Sequence, residues 1–372
     1  MSEVNSATTR GSRIENTIEF FGPQWFGSTM GTGALGVALA LVAGQFQLGA
    51  LIPLAQSFVA LTAAMTIGYT VPWLARMWMY PGRVRDDLTH PIRSQFFPTM
   101  PITLIVLGLG IARTMSESVP ASVMEPLLTA LFVAGSAGIF GFGLLVVTIM
   151  FTNDEIGTEH GVFAWYIPPV SHLVIPLLGF ELVGGHLGGT ATGQLVFLVS
   201  MIALGIGTFM FLFFGSIVLF RYAYESLPRE KLAPTFVIGL APTAVLTIAI
   251  AKLAHALEAG VGLGIALEPL VPALKLLALA MWGFSAWWFV LTAALVSHYV
   301  TRKTHPFFFT WWAYTFPMGA FAISAGSLGQ FLGFDALADV LGGVTTLLLI
   351  VWLVTAALTS RMVLRGHAFT PE

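Results

Sequence analysis

The chain has 372 residues, of which 56% are hydrophobic and only 9% charged, against roughly 25% charged in soluble domains. So much apolar surface excludes a soluble fold and predicts a polytopic membrane protein. A formal net charge of −2 gives no support for nucleic-acid binding, and the absence of cysteine removes disulfides, thiolate metal sites and cysteine nucleophiles together.

Residues 1–22 read as a polar N-terminal tail, without the apolar core and cleavage site of a signal peptide. A single membrane domain, 23–365, follows, with residues 366–372 as a second short tail. Its apolar runs predict ten spans, at about 25–44, 52–79, 96–115, 122–151, 162–184, 193–222, 234–257, 269–299, 306–328 and 337–363. An even count places both termini on one side. Of the 16 basic residues, all but Arg113, Lys252 and Lys275 fall on that side, so the positive-inside rule puts both termini in the cytoplasm; the expected location is the cell membrane.

The odd-numbered spans resemble one another. They carry Gly27, Gly31, Gly33 and Gly36; Pro98 and Pro101; Pro168, Pro169 and Pro176; Gly239 and Pro242; Pro317 and Gly319. Their starts, Trp25, Phe97, Phe163, Phe236 and Phe308, recur at intervals of roughly 66 to 73 residues. The repeating unit is therefore a hairpin of one interrupted and one straight helix. Five such units do not divide into two inverted halves. The expected fold is an all-α integral membrane protein whose ten helices form five hairpins in a quasi-five-fold ring. Its interrupted helices line a central pore, with Gly33, Pro98, Pro101, Pro169, Pro242, Thr315 and Pro317 on the lining. Close helix packing explains single glycines equally well, though not their concentration on alternate spans.

In the ninth span Pro317 falls within the apolar run and removes one helical hydrogen bond, so a carbonyl near Ala313 needs a partner other than lipid. Phe316 precedes it, with Ala313, Gly319 and Ala320 as its helical neighbours. A bulky ring on a strip of small residues suits a plug across a narrow pore, and equally a core aromatic filling space that small residues leave.

Three stretches carry a family resemblance. Trp311-Trp-Ala-Tyr-Thr-Phe-Pro317, Pro23-Gln-Trp-Phe-Gly-Ser-Thr-Met-Gly-Thr-Gly33 and His90-Pro-Ile-Arg-Ser-Gln-Phe-Phe97 resemble segments of the tellurite-resistance/dicarboxylate transporter family, which includes fungal malate and sulfite transporters and plant slow anion channels. The resemblance covers about residues 23–365. It implies a pore through each protomer, a homotrimer, and Phe316 as the gate. The substrate it implies is a small anion, a C4-dicarboxylate such as malate first, with sulfite, tellurite, chloride and nitrate as alternatives.

Rings of Asp or Glu, expected of a cation channel, are missing from the middle of the odd spans. Arg113, Lys252 and Lys275 are candidate cations at the outer mouth, with Glu117, Glu125, Glu258 and Glu268 near enough in sequence to pair with them. Asp86 and Asp87 read as solvated loop charges. His172, beside Ser171 in a proline-interrupted span, is a candidate substrate or proton site, or else a structural donor to a carbonyl freed by Pro168 or Pro169. A membrane-embedded enzyme built on Ser171 and His172 is the remote alternative, because adjacent residues point to different sides of a helix. No histidine spacing suggests a metal, and no cofactor is expected.

Overall fold

A computed structural model describes residues 14–261, 264 and 266–370. Of the expected tails, residues 1–13, 371 and 372 lie outside the described residues. The described chain is helical throughout. Its long helices are α1 Phe26–Gln45, α2 Ile52–Met79, α3 Thr99–Met115, α4 Ala121–Thr152, α5 Ile167–Leu182, α6 Ala191–Tyr224, α7 Ala241–Glu258, α8 Val271–Thr301, α9 Thr315–Leu332 and α10 Ala336–Leu364.

Among the described residues, nine helices are long and apolar enough to cross a membrane. The tenth expected span, α9, falls short because Gly319, Gly326, Gly329, Ser324, Ser327 and Gln330 dilute its apolar residues. It has little need of them, since it packs against α1, α7, α8 and α10.

Odd and even helices occupy different environments. In α1, α3, α5 and α7, 61–89% of the most apolar stretch is buried, against 17–33% in α2, α4, α6, α8 and α10. Each odd helix packs on the even helix that follows it. The odd helices also contact one another in a closed circuit, α1 to α3, α5, α7, α9 and back to α1. Small residues permit the approach: a Cβ on Gly31 would overlap Thr315, and one on Gly239 would overlap the Trp288 ring, whose Nε1 donates to the Phe236 carbonyl at 2.9 Å.

The interruptions differ from those the sequence suggested. Each odd helix is led in by a 3₁₀ segment, Pro23–Trp25, Arg93–Phe96, Phe163–Tyr166, Glu230–Leu240 and Phe309–Tyr314. The prolines cluster at these junctions. Pro98 precedes α3; Pro101, Pro169 and Pro317 are third in their helices; Pro242 is second in α7. In a first turn the N–H of proline has no helical partner to lose, so the ring is accommodated without a kink. Pro317 is thus a helix-start residue rather than a mid-helix break. Prolines inside helices occur instead at Pro72 and Pro126 in the even set, besides Pro176 in α5.

At or beside each junction a hydroxyl returns to the carbonyl three residues back: Ser28 to Trp25 at 2.7 Å, Thr99 to Phe96 at 2.6 Å, Ser171 to Pro168 at 2.6 Å, Thr235 to Leu232 at 2.6 Å and Thr315 to Trp312 at 2.7 Å. Away from water, carbonyls left poorly bonded by a change of helix type need such partners. Its presence near the start of all five hairpins marks the repeat more regularly than the prolines do.

Candidate functional site

Two cavities lie along the closed circuit, one towards the face where the chain enters α1 and leaves α10, the other towards the opposite face. The terminal-face cavity, about 540 Å³, is walled by four of the five 3₁₀ lead-ins, by Ile167 and Val170 of α5 and by the polar connections. The opposite-face cavity, about 370 Å³, takes residues from all five odd helices, including Leu41, Val106, Leu177, Ile248 and Ile323. Among the described residues Phe316 alone lines both. It is partly buried, in the first turn of α9, between Thr315, fully buried against α1, and Pro317.

Direction of the helices adds an electrostatic element. All five odd helices begin at the terminal face, so five macrodipoles point their positive ends at the larger cavity. The smaller cavity is mostly apolar, apart from Arg113, Glu181, Lys252, His255, Ser327 and Gln330.

The remaining sequence candidates separate clearly. Arg113 and Lys252 line the opposite-face cavity, whereas Lys275 lies beside it with Nζ 5.6 Å from the Phe331 ring. The expected carboxylate partners give way to one not anticipated: Lys252 on α7 pairs with Glu181 on α5. Glu258 faces His255 at 3.7 Å. An acidic residue closing the apolar fifth span, one hairpin before Lys252, was the available signal for Glu181. Of the expected lining residues, Pro317 reaches the terminal-face cavity, whereas Gly33, Pro98, Pro101, Pro169, Pro242 and Thr315 line neither. A Cβ on Gly33 would meet Val106 and Thr62, so its smallness serves the approach of α2 and α3.

His172 also lines neither cavity. Its ring sits over Gly143 of α4, 5.5 Å from Phe140, and its Nδ1–H donates to the Pro168 carbonyl at 2.8 Å. Ser171 donates to the same carbonyl, and its Oγ is 3.4 Å from that nitrogen. Both side chains thus hydrogen-bond to the backbone at the start of α5.

Asp87 is likewise not a solvated loop charge. Buried at the rim of the terminal-face cavity, it binds Arg76 at 2.7 Å and Arg93 at 3.2 Å. Arg76 further donates to the carbonyls of Glu19 at 2.8 Å and Phe21 at 3.2 Å. The end of the expected N-terminal tail is therefore built into the body. So is the C-terminal one: Phe369 stacks on Trp25 at 5.0 Å, and His367 and Thr370 line the cavity. Among the described residues no group of three or more His, Asp or Glu could hold a metal ion.

The family described as Voltage-dependent anion channel, SLAC1, matches residues 20–360. The chain belongs to the SLAC1 family. The resemblance drawn from Trp311–Pro317 and its companion stretches is thereby confirmed. An uncharacterized transporter of Methanocaldococcus jannaschii is 28% identical over 95% of the chain and 96% of its own length. The sulfite efflux pump SSU1 of Trichophyton rubrum is 24% identical over 92% of the chain and 90% of its own length. The S-type anion channel SLAH2 of Arabidopsis thaliana is 22% identical over 69% of the chain and 42% of its own length. Anion transport is the activity in the names of the sulfite pump and the S-type channel, whereas the archaeal relative is named only as a transporter, and the apolar helices fit a membrane protein.

Proposed function

We propose that the chain conducts small anions across the cell membrane along the axis enclosed by the five odd helices, with the terminal face in the cytoplasm and Phe316 as the gate. The observation carrying this reading is that one aromatic ring is common to two cavities approaching it from opposite faces. Selection for anions rests on the five positive helix ends at the cytoplasmic cavity and on Arg113 and Lys252 at the other. The apolar stretch between holds no ion strongly, which suits passage rather than storage.

As substrate we place sulfite first, because fungal sulfite efflux pumps align over 92% of the chain. Malate comes second, on the Met30-Gly-Thr-Gly33 opening. A homotrimer is the assembly the family resemblance implies, and light scattering in detergent measures it.

The test is solute-by-solute flux in proteoliposomes, wild type against Phe316→Ala. Removing the ring raises flux on the order of tenfold, since a steric constriction of one side chain is then open. A wild type that passes no anion, or a folded Phe316→Ala protein with less flux than wild type, overturns the reading.

A further inference from the structure

Among the described residues Glu181 is the one carboxylate lining the opposite-face cavity, and it stands where neither helix nor pathway favours it. It is the second-last residue of α5, near the negative end of the helix dipole. It also lies on the wall of a route read above as carrying anions, and the inference rests on that reading. Directly after it the chain passes through a π-helical turn, Val183–Leu187, a local widening that recurs at functional positions.

The surroundings define what the carboxylate does. Lys252 reaches it from α7, with its side chain 27% exposed and that of Glu181 36%, so the pair faces the cavity rather than the packed core. Arg113 of α3 and His255 of α7 share the same wall and act electrostatically on the same carboxylate. Arg113 lies against the end of α1 near Gly44, and His255 lies over Gly184 in the π turn. Glu258, one turn on along α7, lies 3.7 Å from His255. Two permanent cations thus meet one carboxylate within the cavity, leaving one positive charge in excess when the imidazole is neutral.

We infer that Glu181 is a tethered counter-anion: it occupies the Lys252 ammonium in place of the permeant anion and so sets how tightly this vestibule holds its substrate. A carboxylate or oxyanion entering from this side takes over the ammonium as Glu181 releases it, and Glu181 returns as the anion leaves. Without the carboxylate, Arg113 and Lys252 would face the substrate together, and binding would become strong enough to slow its departure. Glu181 is thereby a specificity-determining residue, tuning affinity without being part of the gate.

Glu181→Gln keeps the size and removes the charge. Measured in proteoliposomes with chloride, sulfite and malate, the half-saturating concentration for entry from this face falls about tenfold at low ionic strength, the effect of one unit charge at contact range in a partly solvated site. The difference shrinks at high salt, and half-saturation from the terminal face stays as in wild type. Lys252→Gln lowers flux, because Arg113 alone then balances Glu181 and the cavity loses its excess positive charge. The double variant Glu181→Gln/Lys252→Gln recovers flux above that of Lys252→Gln. Wild-type half-saturation in Glu181→Gln, with or without a lowered melting temperature, makes the pair a structural staple and overturns the inference. Should Glu181→Gln fail to fold, absence of rescue in the double variant has the same consequence. A wild type that passes no anion instead removes the conduit reading itself, a result visible before any variant is made.

Discussion

The two cavities that meet at Phe316 both contain arginine or lysine facing a carboxylate, yet the arrangements differ in kind. At the terminal face Asp87 is held by Arg76 and Arg93, and Arg76 is held in turn by two backbone carbonyls. The Arg76 and Asp87 side chains are only 4% and 8% exposed. At the opposite face Glu181 pairs with Lys252 and both remain open to the cavity. Partner count and burial, rather than residue type, separate a fixed network from an exchangeable pair. The first ties the segment before α1 to the end of α2 and to the connection that follows it. The second leaves an ammonium that another anion can claim.

The largest expected effect tests the fixed side. Arg76→Met leaves Asp87 buried beside Arg93 alone and strips the Glu19 and Phe21 carbonyls of a donor. Breaking a buried pair of this type costs about 3–5 kcal/mol. Thermal unfolding in detergent reads it as a markedly lower melting temperature, and the molecules that remain folded keep the wild-type half-saturation for anions. An unchanged melting temperature with a shifted half-saturation would reverse the comparison and make the Arg76 network part of the route.

How much of this was legible follows from the range of each interaction. The hairpin period was visible because apolar run length and loop charge are local properties that repeat along the chain. Phe316 stood out through the small residues within one helical turn of it, which suited a core aromatic as well, and through the family resemblance of Trp311–Pro317; the structure puts it on the walls of both cavities. Pro317 was misplaced because a proline signals that a helix cannot continue backwards, and from sequence alone an interior kink and a helix start look alike. The 3₁₀ lead-in through Phe309–Tyr314 settles it as a start. Asp87 and Glu181 were opaque for a different reason. Their partners lie on other elements, 71 residues away for Lys252, and adjacent charges such as Glu258 offered misleading local alternatives.

His172 sharpens the boundary between route and scaffold, since it is titratable, deep in α5 and outside both cavities. His172→Ala removes the bond to the Pro168 carbonyl and empties the slot over Gly143, costing about 1–3 kcal/mol. Flux, measured against pH in proteoliposomes, keeps its wild-type profile. A shifted profile in the folded variant would bring His172 into the route and extend it beyond the two cavities.

The smallest effect concerns the connection between α8 and the lead-in to α9. His305, in the connection before the lead-in to α9, stacks on Trp311 at 5.0 Å and shares a hydrogen bond with the Tyr314 hydroxyl at 3.0 Å. Burial pushes its pKa below the ordinary imidazole value. The unfolded chain therefore binds this proton more readily than the folded one, and stability rises with pH across the interval between the two values. The contribution is complete above about pH 6.5 and is lost as pH falls from there towards the depressed folded value. His305→Phe keeps a ring against Trp311 and carries no proton, so its melting temperature falls less steeply below that pH than the wild type's. Equal slopes would mean that the charged ring is tolerated beside Trp311, whose face can attract a cation. Protonation of His305 would then leave the connection into the Phe309–Tyr314 lead-in as stable as the neutral ring does.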